Sequence, residues 1–244
     1  MRVAALYDIH GNLPALEAVL EEVRELKIDG IVVGGDVLPG PMPRETVDCL
    51  LQLDVPVQFI HGNGDREVLA RMRGGDNASI PAQFRETIRW TAEQLGAEHE
   101  RLVASWPATL SMNNVLFCHA TPRNDIEIFT RLTPDAPLLP VFENAGSSLV
   151  VCGHTHMQFD RTIGSVRVVN AGSVGMPFGN PGAYWLLLGP DVELRKTTYD
   201  LEAAAERIRQ TNYPQAEEFA TRNVLRPPSE ADMLALFSKS ELKG

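Results

Sequence analysis

Four of the six histidines in this chain stand in short polar clusters: His10, His119, His154 and His156. Asp8 and Asp36 occupy similar places, and Asn63 follows His61–Gly62. Each cluster comes directly after an apolar, strand-like run. Seven oxygen and nitrogen donors converging in space would suit a pair of divalent cations. A mixture of imidazoles and carboxylates favours Mn, Fe, Zn, Co or Ni over Mg or Ca, which prefer oxygen ligands. The signals differ in weight. Asp8-x-His10 arises by chance in many chains, and a lone Gly–Asp is most often a turn. Taken singly, His119 on an apolar strand is more often a satisfied core residue than a ligand. Gly153–His154–Thr155–His156 is stronger, because a strand followed by His-x-His presents both rings near one site. The ordered series is harder still to reach by chance. Between His10 and Asp36 lie 25 residues, between Asp36 and Asn63 another 26, and the strand-end His119 and the Gly-His-x-His follow.

Such donors need a scaffold that gathers strand ends. Arg2–Tyr7, Ile31–Val33 and Val55–Ile60 read as short apolar strands. Leu13–Lys27 repeats apolar residues at 13, 16, 19, 20, 23 and 26, a helical period, with Asn12 as N-cap and Pro14 in the first turn. Arg44–Leu53 is a second helix. Strand–helix–strand units predict a parallel sheet covered on both faces, with ligand sites beyond the carboxyl ends of the strands. Helices at Arg66–Met72 and Pro81–Leu95 flank a loop at 74–77. Strands return at Val115–Cys118, Leu149–Cys152, Val166–Asn170, Tyr184–Leu188 and Val192–Thr198. Turns around Gly164–Ser165 and Gly189–Pro190–Asp191 predict that the last four form hairpins in a second, mixed sheet. After Asp200 the chain reads as two or three helices, with Ser229–Asp232 resembling a capping box before Met233–Phe237. No internal repeat or linker divides the chain. The expectation is one domain over 1–244, with a core at 1–198 and a C-terminal helical tail at 199–244.

The 244 residues carry 22 Lys+Arg against 32 Asp+Glu, a formal net charge of −10, and 44% of them are hydrophobic. That balance and 17 scattered prolines exclude disorder, collagen-like repetition and coiled-coil rods. Apolar runs such as Ala183–Leu188 are strand-sized, far below the roughly 18 residues of a membrane span. The N-terminal segment lacks the pattern of a secretory signal. An acidic chain is poorly suited to sequence-independent nucleic-acid binding, which neutralises phosphates with Lys and Arg. Three distant cysteines, Cys49, Cys118 and Cys152, argue against a disulfide framework. The expectation is a reduced, cytoplasmic protein without stable nucleic-acid or membrane partners.

The order and spacing of the seven donors resemble the calcineurin-like metallophosphoesterase superfamily over roughly residues 1–198. Asp8–Ile9–His10–Gly11–Asn12 and Val169–Asn170–Ala171–Gly172–Ser173–Val174–Gly175 are similar to its small bacterial phosphodiesterase branch, typified by YfcE. The resemblance implies an α/β fold of the four-layer α+β kind, two mixed β-sheets packed as a sandwich and flanked by helices. It implies that Asp8, His10 and His156 hold one divalent metal, that Asn63, His119 and His154 hold a second, and that Asp36 bridges both. Mn or Fe is the preferred pair, with Zn, Ni or Co as alternatives. The implied chemistry is hydrolysis of phosphodiesters or small phosphorylated metabolites by a metal-bridging hydroxide, with Asp36, Asn63 and His119 positioning hydroxide and phosphate. Members of the branch are often described as related to dinucleoside-polyphosphate and serine/threonine protein phosphatases, which is the alternative enzyme reading. The alternative of another class is a non-catalytic scaffold, since the retromer scaffold subunit resembles this fold with part of the metal set lost. All seven donor positions are filled here, which favours an enzyme.

One departure bears on mechanism. Many members place a histidine directly after the metal-binding Asn, where it assists the leaving group; here that position is Gly64, followed by Asp65. Asp65 could orient a ligand or cap the helix that begins near Arg66. His61 points to the same side as Asn63 on an extended strand, as a substitute acid or a structural residue. Arg123, four residues after His119, is either a phosphate contact or a surface charge. His99, among Glu98, Glu100 and Arg101, reads as a solvated helical residue. Cys118 and Cys152 read as small apolar strand residues, and Gly172, Gly175 and Gly179 as either a close backbone approach to the site or a tight connection. Segments 126–144 and 199–244 shape the pocket or an interface, and a homo-oligomer, if one forms, would use the C-terminal helices.

Overall fold

A computed structural model of the chain describes residues 2–75, 77–78 and 80–242; Asp76, in the loop expected at 74–77, lies outside them. The described strands are β1 (Val3–Leu6), β2 (Gly30–Val33), β3 (Val57–Phe59), β4 (Thr109–Met112), β5 (Val115–Cys118), β6 (Leu149–Cys152), β7 (Phe159–Ile163), β8 (Val166–Asn170), β9 (Ala183–Leu188) and β10 (Val192–Thr197). The helices are α1 (Leu13–Glu25), α2 (Pro43–Leu51), α3 (Asn63–Met72), α4 (Ala82–Glu93), α5 (Ala97–Ala104), α6 (Asp135–Phe142), α7 (Leu201–Arg209), α8 (Ala216–Phe219), which runs on as a wider π-turn over Ala220–Leu225, and α9 (Glu230–Phe237).

Two five-stranded sheets result, in the orders β10-β9-β1-β2-β3 and β4-β5-β6-β8-β7. Each has three parallel strands and antiparallel partners beside them. Strand alternation decides the layers. Val3, Ala5 and Tyr7 of the first sheet meet Phe117, Val151 and Val169 of the second in an inter-sheet core. Ala4 and Leu6 face the opposite way, onto α1, whose Leu16, Val19, Leu20 and Val23 are buried. Leu116, Val150 and Val168 turn outward beneath Leu138, Val141 and Phe142 of α6. The architecture is helix, sheet, sheet, helix, as expected. Asn12 caps α1 by accepting the Ala15 N–H, and Ser229 caps α9 by accepting the Asp232 N–H.

Two expectations are corrected, and one segment that carried no assignment takes on structure. The β9–β10 hairpin forms, but it joins the first sheet, where Leu188 pairs with Val3. The turn at 189–191 dictates a hairpin, not its neighbour. Trp185 and Leu187 pack toward the helices while Leu186 and Leu188 pack between the sheets, so β9 needs an interior position. The true partner of β8 across Gly164–Ser165 is β7, an edge strand whose Asp160, Arg161 and Thr162 hide it from a search for apolar runs. Segment 135–142 is helical despite Pro137 and Pro140, because its apolar residues cover the second sheet. No described helix is long and apolar enough to cross a membrane.

Candidate metal centre

The parallel strands of both sheets deliver their carboxyl ends to one place. Loop backbone extends the ladders past the strands: Asp8 N–H donates to Gly35 O at 3.1 Å, His10 N–H to Asp36 O at 2.9 Å, and Gly153 N–H to His119 O at 2.8 Å. To turn inward there, Asp8, His10, Asp36, His154 and His156 all adopt positive φ, between 49° and 65°. Non-glycine residues in that region cost on the order of 1–3 kcal/mol each, and such strain gathers at functional sites.

Three of the four rings are oriented from behind. His10 Nδ1 lies 3.1 Å from Pro39 O, His119 Nδ1 3.0 Å from Gly34 O, and His156 Nδ1 2.7 Å from Met176 O. With Nδ1–H donating to these carbonyls, each Nε2 keeps a free lone pair directed into the site. Asp8 Oδ1 lies 3.3 Å from His156 Nε2 and 3.9 Å from both His10 Nε2 and His119 Nε2. Asp36 Oδ2 lies 3.8 Å from His10 Nε2 and 3.6 Å from His119 Nε2, while its Oδ1 accepts the Gly64 N–H at 2.7 Å. Asn63 begins α3, and its amide sits 3.2 Å from His119 Nε2 and 3.1 Å from both His154 Nδ1 and Asp125 O. All seven expected donors therefore come together. Asp8, His10 and His156 form one group, and Asn63, His119 and His154 another, with Asp36 reaching a ring of each.

The donors fit divalent cations. Asp8 is 0% exposed, its Oδ2 accepts the His154 N–H at 2.8 Å, and its Oδ1 has no hydrogen-bond partner. A buried carboxylate oxygen without a donor is costly, and a cation shared with the surrounding imidazole nitrogens relieves it. The Asn63 amide is consistent with this. Its carbonyl oxygen, facing two imidazole nitrogens and a backbone oxygen, has acceptors only, an arrangement that a cation makes favourable.

Burial opposes charge throughout the site, and the carboxylates decide which rings resist it. Burial pushes the Asp8 carboxyl up, but His156, His119 and His10 together hold it well below the usual range. Burial lowers His10, and burial with neighbouring His119 lowers His154 to about 4. His156 and His119 are raised instead, because Asp8 beside the first and Asp36 with Asp8 beside the second outweigh burial.

Asp65 lies three residues into α3 and is enclosed. Its Oδ2 accepts the Gly62 N–H, and its Oδ1 accepts the Val37 and Leu38 N–H groups at 2.9 and 3.0 Å. It thereby pins the loop carrying Asp36 to the start of α3, while burial and Asp36 push its carboxyl up to about 7. Helix α3 starts at Asn63 rather than near Arg66, so Asp65 is not its N-cap. His61 lies 3.7 Å from Asp125 and lines a cavity of about 210 Å³ with His119, Arg66, Thr121 and Arg123. The Arg123 guanidinium is bonded to buried Glu127.

His99 corrects the reading of a solvated residue. It is 6% exposed, its Nδ1 accepts the Gly96 N–H at the start of α5, and Nε2 lies 3.5 Å from Asp48. Sequence reasoning also gave no role to Asn170 or Ser173. Asn170 Nδ2 donates to Gly153 O and Thr155 Oγ1, fixing the His154–His156 loop, and Ser173 Oγ donates to Asp8 O at 2.7 Å. Both stand in the stretch that carries the resemblance, which was the available signal. The carbonyls of Gly34, Pro39 and Met176 left none.

Known proteins share the sequence and fold of this chain. A family model described as the calcineurin-like phosphoesterase superfamily domain matches residues 1–189. A protein of Methanocaldococcus jannaschii described as uncharacterized is 29% identical over 238 residues, covering 87% of this chain and 94% of that protein. Phosphodiesterase YfcE of Escherichia coli is 26% identical over 197 residues, covering 77% of this chain and 87% of its own. The crystal structure of a metallophosphoesterase from Sphaerobacter thermophilus superposes with a TM-score of 0.74 at 26% identity, covering 91% of this chain and 97% of that one.

Proposed function

This chain belongs to the calcineurin-like phosphoesterase superfamily and is a phosphoester hydrolase; from that premise we propose a dinuclear enzyme acting on phosphodiesters or small phosphorylated metabolites. In this reading Asp8, His10 and His156 hold one cation, Asn63, His119 and His154 the other, and Asp36 bridges. Mn or Fe is the expected pair. When bound, two such cations polarise a phosphoryl oxygen and lower the pKa of a coordinated water.

The protein's own groups do the rest. Carbonyls behind His10, His119 and His156 fix the tautomer that directs Nε2 inward. The Gly64 N–H steadies Asp36 while its second oxygen faces both groups. Asp65, committed to three backbone N–H groups and fully enclosed, supports the Asp36 loop and cannot reach a leaving group. The position after Asn63 is a glycine, so no imidazole there hands a proton to the departing oxygen. The leaving oxygen departs as its anion or takes a proton from water.

One observation carries this reading: the fully buried, donorless Asp8 Oδ1 among three imidazole nitrogens. Elemental analysis after reconstitution with Mn or Fe should find close to two metals per chain, and chelation should abolish hydrolysis. One metal or none overturns the dinuclear assignment. A screen across aryl phosphodiesters, 2′,3′- and 3′,5′-cyclic nucleotides, dinucleoside polyphosphates and phosphopeptides assigns the substrate class. Preference for either of the last two would replace the diester reading.

A further inference from the structure

Away from the metal centre, α3 and α4 pack together and leave a cavity of about 270 Å³ between them. Its walls carry three guanidinium groups, from Arg71 on α3 and from Arg85 and Arg89 on α4. Arg85 and Arg89 lie one turn apart, where like charges oppose the helix that holds them. The ordinary remedy is a carboxylate, and the sequence offers two. Glu67 stands four residues before Arg71 and Glu93 four after Arg89, the spacing at which helical ion pairs form. Neither pair is made. Glu67 instead bonds Arg66 at 3.0 Å and Asn77 at 3.3 Å. Among the described residues no ion pair engages Arg71, Arg85 or Arg89.

Arg85 gives a second, independent sign. Its Nε is buried and has no hydrogen-bond partner. A charged donor enclosed without an acceptor is costly, and native proteins rarely keep one. An oxyanion with several acceptor lone pairs meets this arrangement, accepting from Nε and spanning guanidiniums that arrive from two helices. Planar guanidinium forks match the oxygens of a phosphate group in pairs. Three positive groups call for a multiply charged anion. The volume lies just below the roughly 300–1,000 Å³ of sites for larger organic ligands, which favours a small one. Glu67 and Glu86 remain in the wall, and the chain carries a net charge of −10. Both disfavour an extended polyanion such as nucleic acid.

We propose that this cavity is a second anion site, separate from the metal centre, that binds a small phosphate-type dianion, either free phosphate or the phosphoryl group of a small metabolite. Arg71 stands eight residues along α3 from Asn63, roughly 12 Å of helix. The site goes beyond the phosphoesterase reading and needs no metal, because its cations are its own side chains.

Calorimetric titration of the metal-reconstituted protein tests it, with inorganic phosphate, acetate and methylphosphonate, whose C–P bond a phosphoester hydrolase does not cut. Wild-type protein should bind two phosphates per chain, one at the metals and one between α3 and α4. Arg89 is exposed, so Arg89→Gln should leave melting temperature and hydrolysis unchanged. It should weaken the second event about 10- to 150-fold, the worth of a charge-assisted hydrogen bond. Arg85→Gln should weaken the same event, and Arg85→Lys, which keeps the charge but not the fork, should restore only part of the affinity. Asp36→Asn should remove the other event and spare this one. Phosphate binding tighter than methylphosphonate marks free phosphate as the ligand; the reverse order marks a carried phosphoryl group. Phosphate binding that Arg85→Gln and Arg89→Gln both leave intact overturns the site, as does acetate bound as tightly as phosphate. A single event lost with Asp36→Asn also overturns it. A single event lost with Arg85→Gln keeps the site and removes the metal-centre reading instead.

Discussion

The Nε2 atoms of His10 and His156 lie 3.3 Å apart, and the other nitrogen of each ring is held by a backbone carbonyl. In the neutral tautomers that those carbonyls select, two lone pairs face each other beside Asp8 Oδ1. Only a proton or a metal ion placed between them makes that pairing favourable. The two therefore compete for one position.

That competition sets a pH dependence. A histidine binds metal only when deprotonated. His156 and His119 have raised pKa values, so their protons persist to higher pH than in a free imidazole and must be displaced. Metal affinity should accordingly fall as pH drops through those raised values, by about tenfold per pH unit for each proton displaced. His154, near 4, stays neutral and adds nothing in this range. Competition titrations between about pH 8 and pH 6 measure the slope, and a flat affinity would refute the competition.

Asp36→Asn and His99→Ala should part company. Asp36 Oδ2 faces a ring from each donor group, so removing its charge should cost more than about 100-fold in activity and reduce metal content. His99 supports the start of α5, so its loss should lower stability by about 1 kcal/mol with activity per folded molecule unchanged. Thermal melts, metal analysis and kcat/KM on both variants check this. Equal activity losses would remove Asp36 from the bridge.

Without an imidazole after Asn63, rate should depend steeply on the leaving group. General acid catalysis is worth about 10²–10⁴-fold, so aryl esters of graded leaving-group pKa should give a clear negative slope in log kcat. A flat plot under chemistry-limited conditions would show that another group supplies the proton, and His61 would be the first to mutate.

Inserting the missing ring should fail, and the packing says why. A Cβ on Gly64 would stand 2.5 Å from Pro39 Cγ and 2.9 Å from Asp36 Oδ1. Gly64→Ala should destabilise the fold by about 1–3 kcal/mol, as overpacking does, and Gly64→His should lose metal rather than gain an acid. Melting temperature and metal content decide it. A Gly64→His protein with wild-type stability and a flattened leaving-group dependence would contradict the packing argument.

Much of this molecule was legible in its residues. The seven donors, their order and the apolar runs before them pointed to the candidate site, because residue type and strand-end position are local properties. The helical period of α1, its Asn12 cap and the capping box at Ser229 were local too. What lay beyond the sequence depended on groups distant along the chain. His99 reads as exposed from its charged neighbours, yet the start of α5 turns it inward near Asp48 of α2. The β9–β10 hairpin is coded by its turn, but its place beside β1 depends on which sheet can bury both faces of β9. The ring orientations depend on the carbonyls of Gly34, Pro39 and Met176, which every residue possesses and no sequence marks. The positive φ values of five donor residues follow from strands converging on one point, and the contact between Phe178 and Phe237 joins positions 59 residues apart. Composition and spacing thus determined which chemistry the chain could carry. Tertiary structure decided how the donors face one another, because tautomer, backbone strain and stacking are set by contacts between segments and not by the order of residues within them.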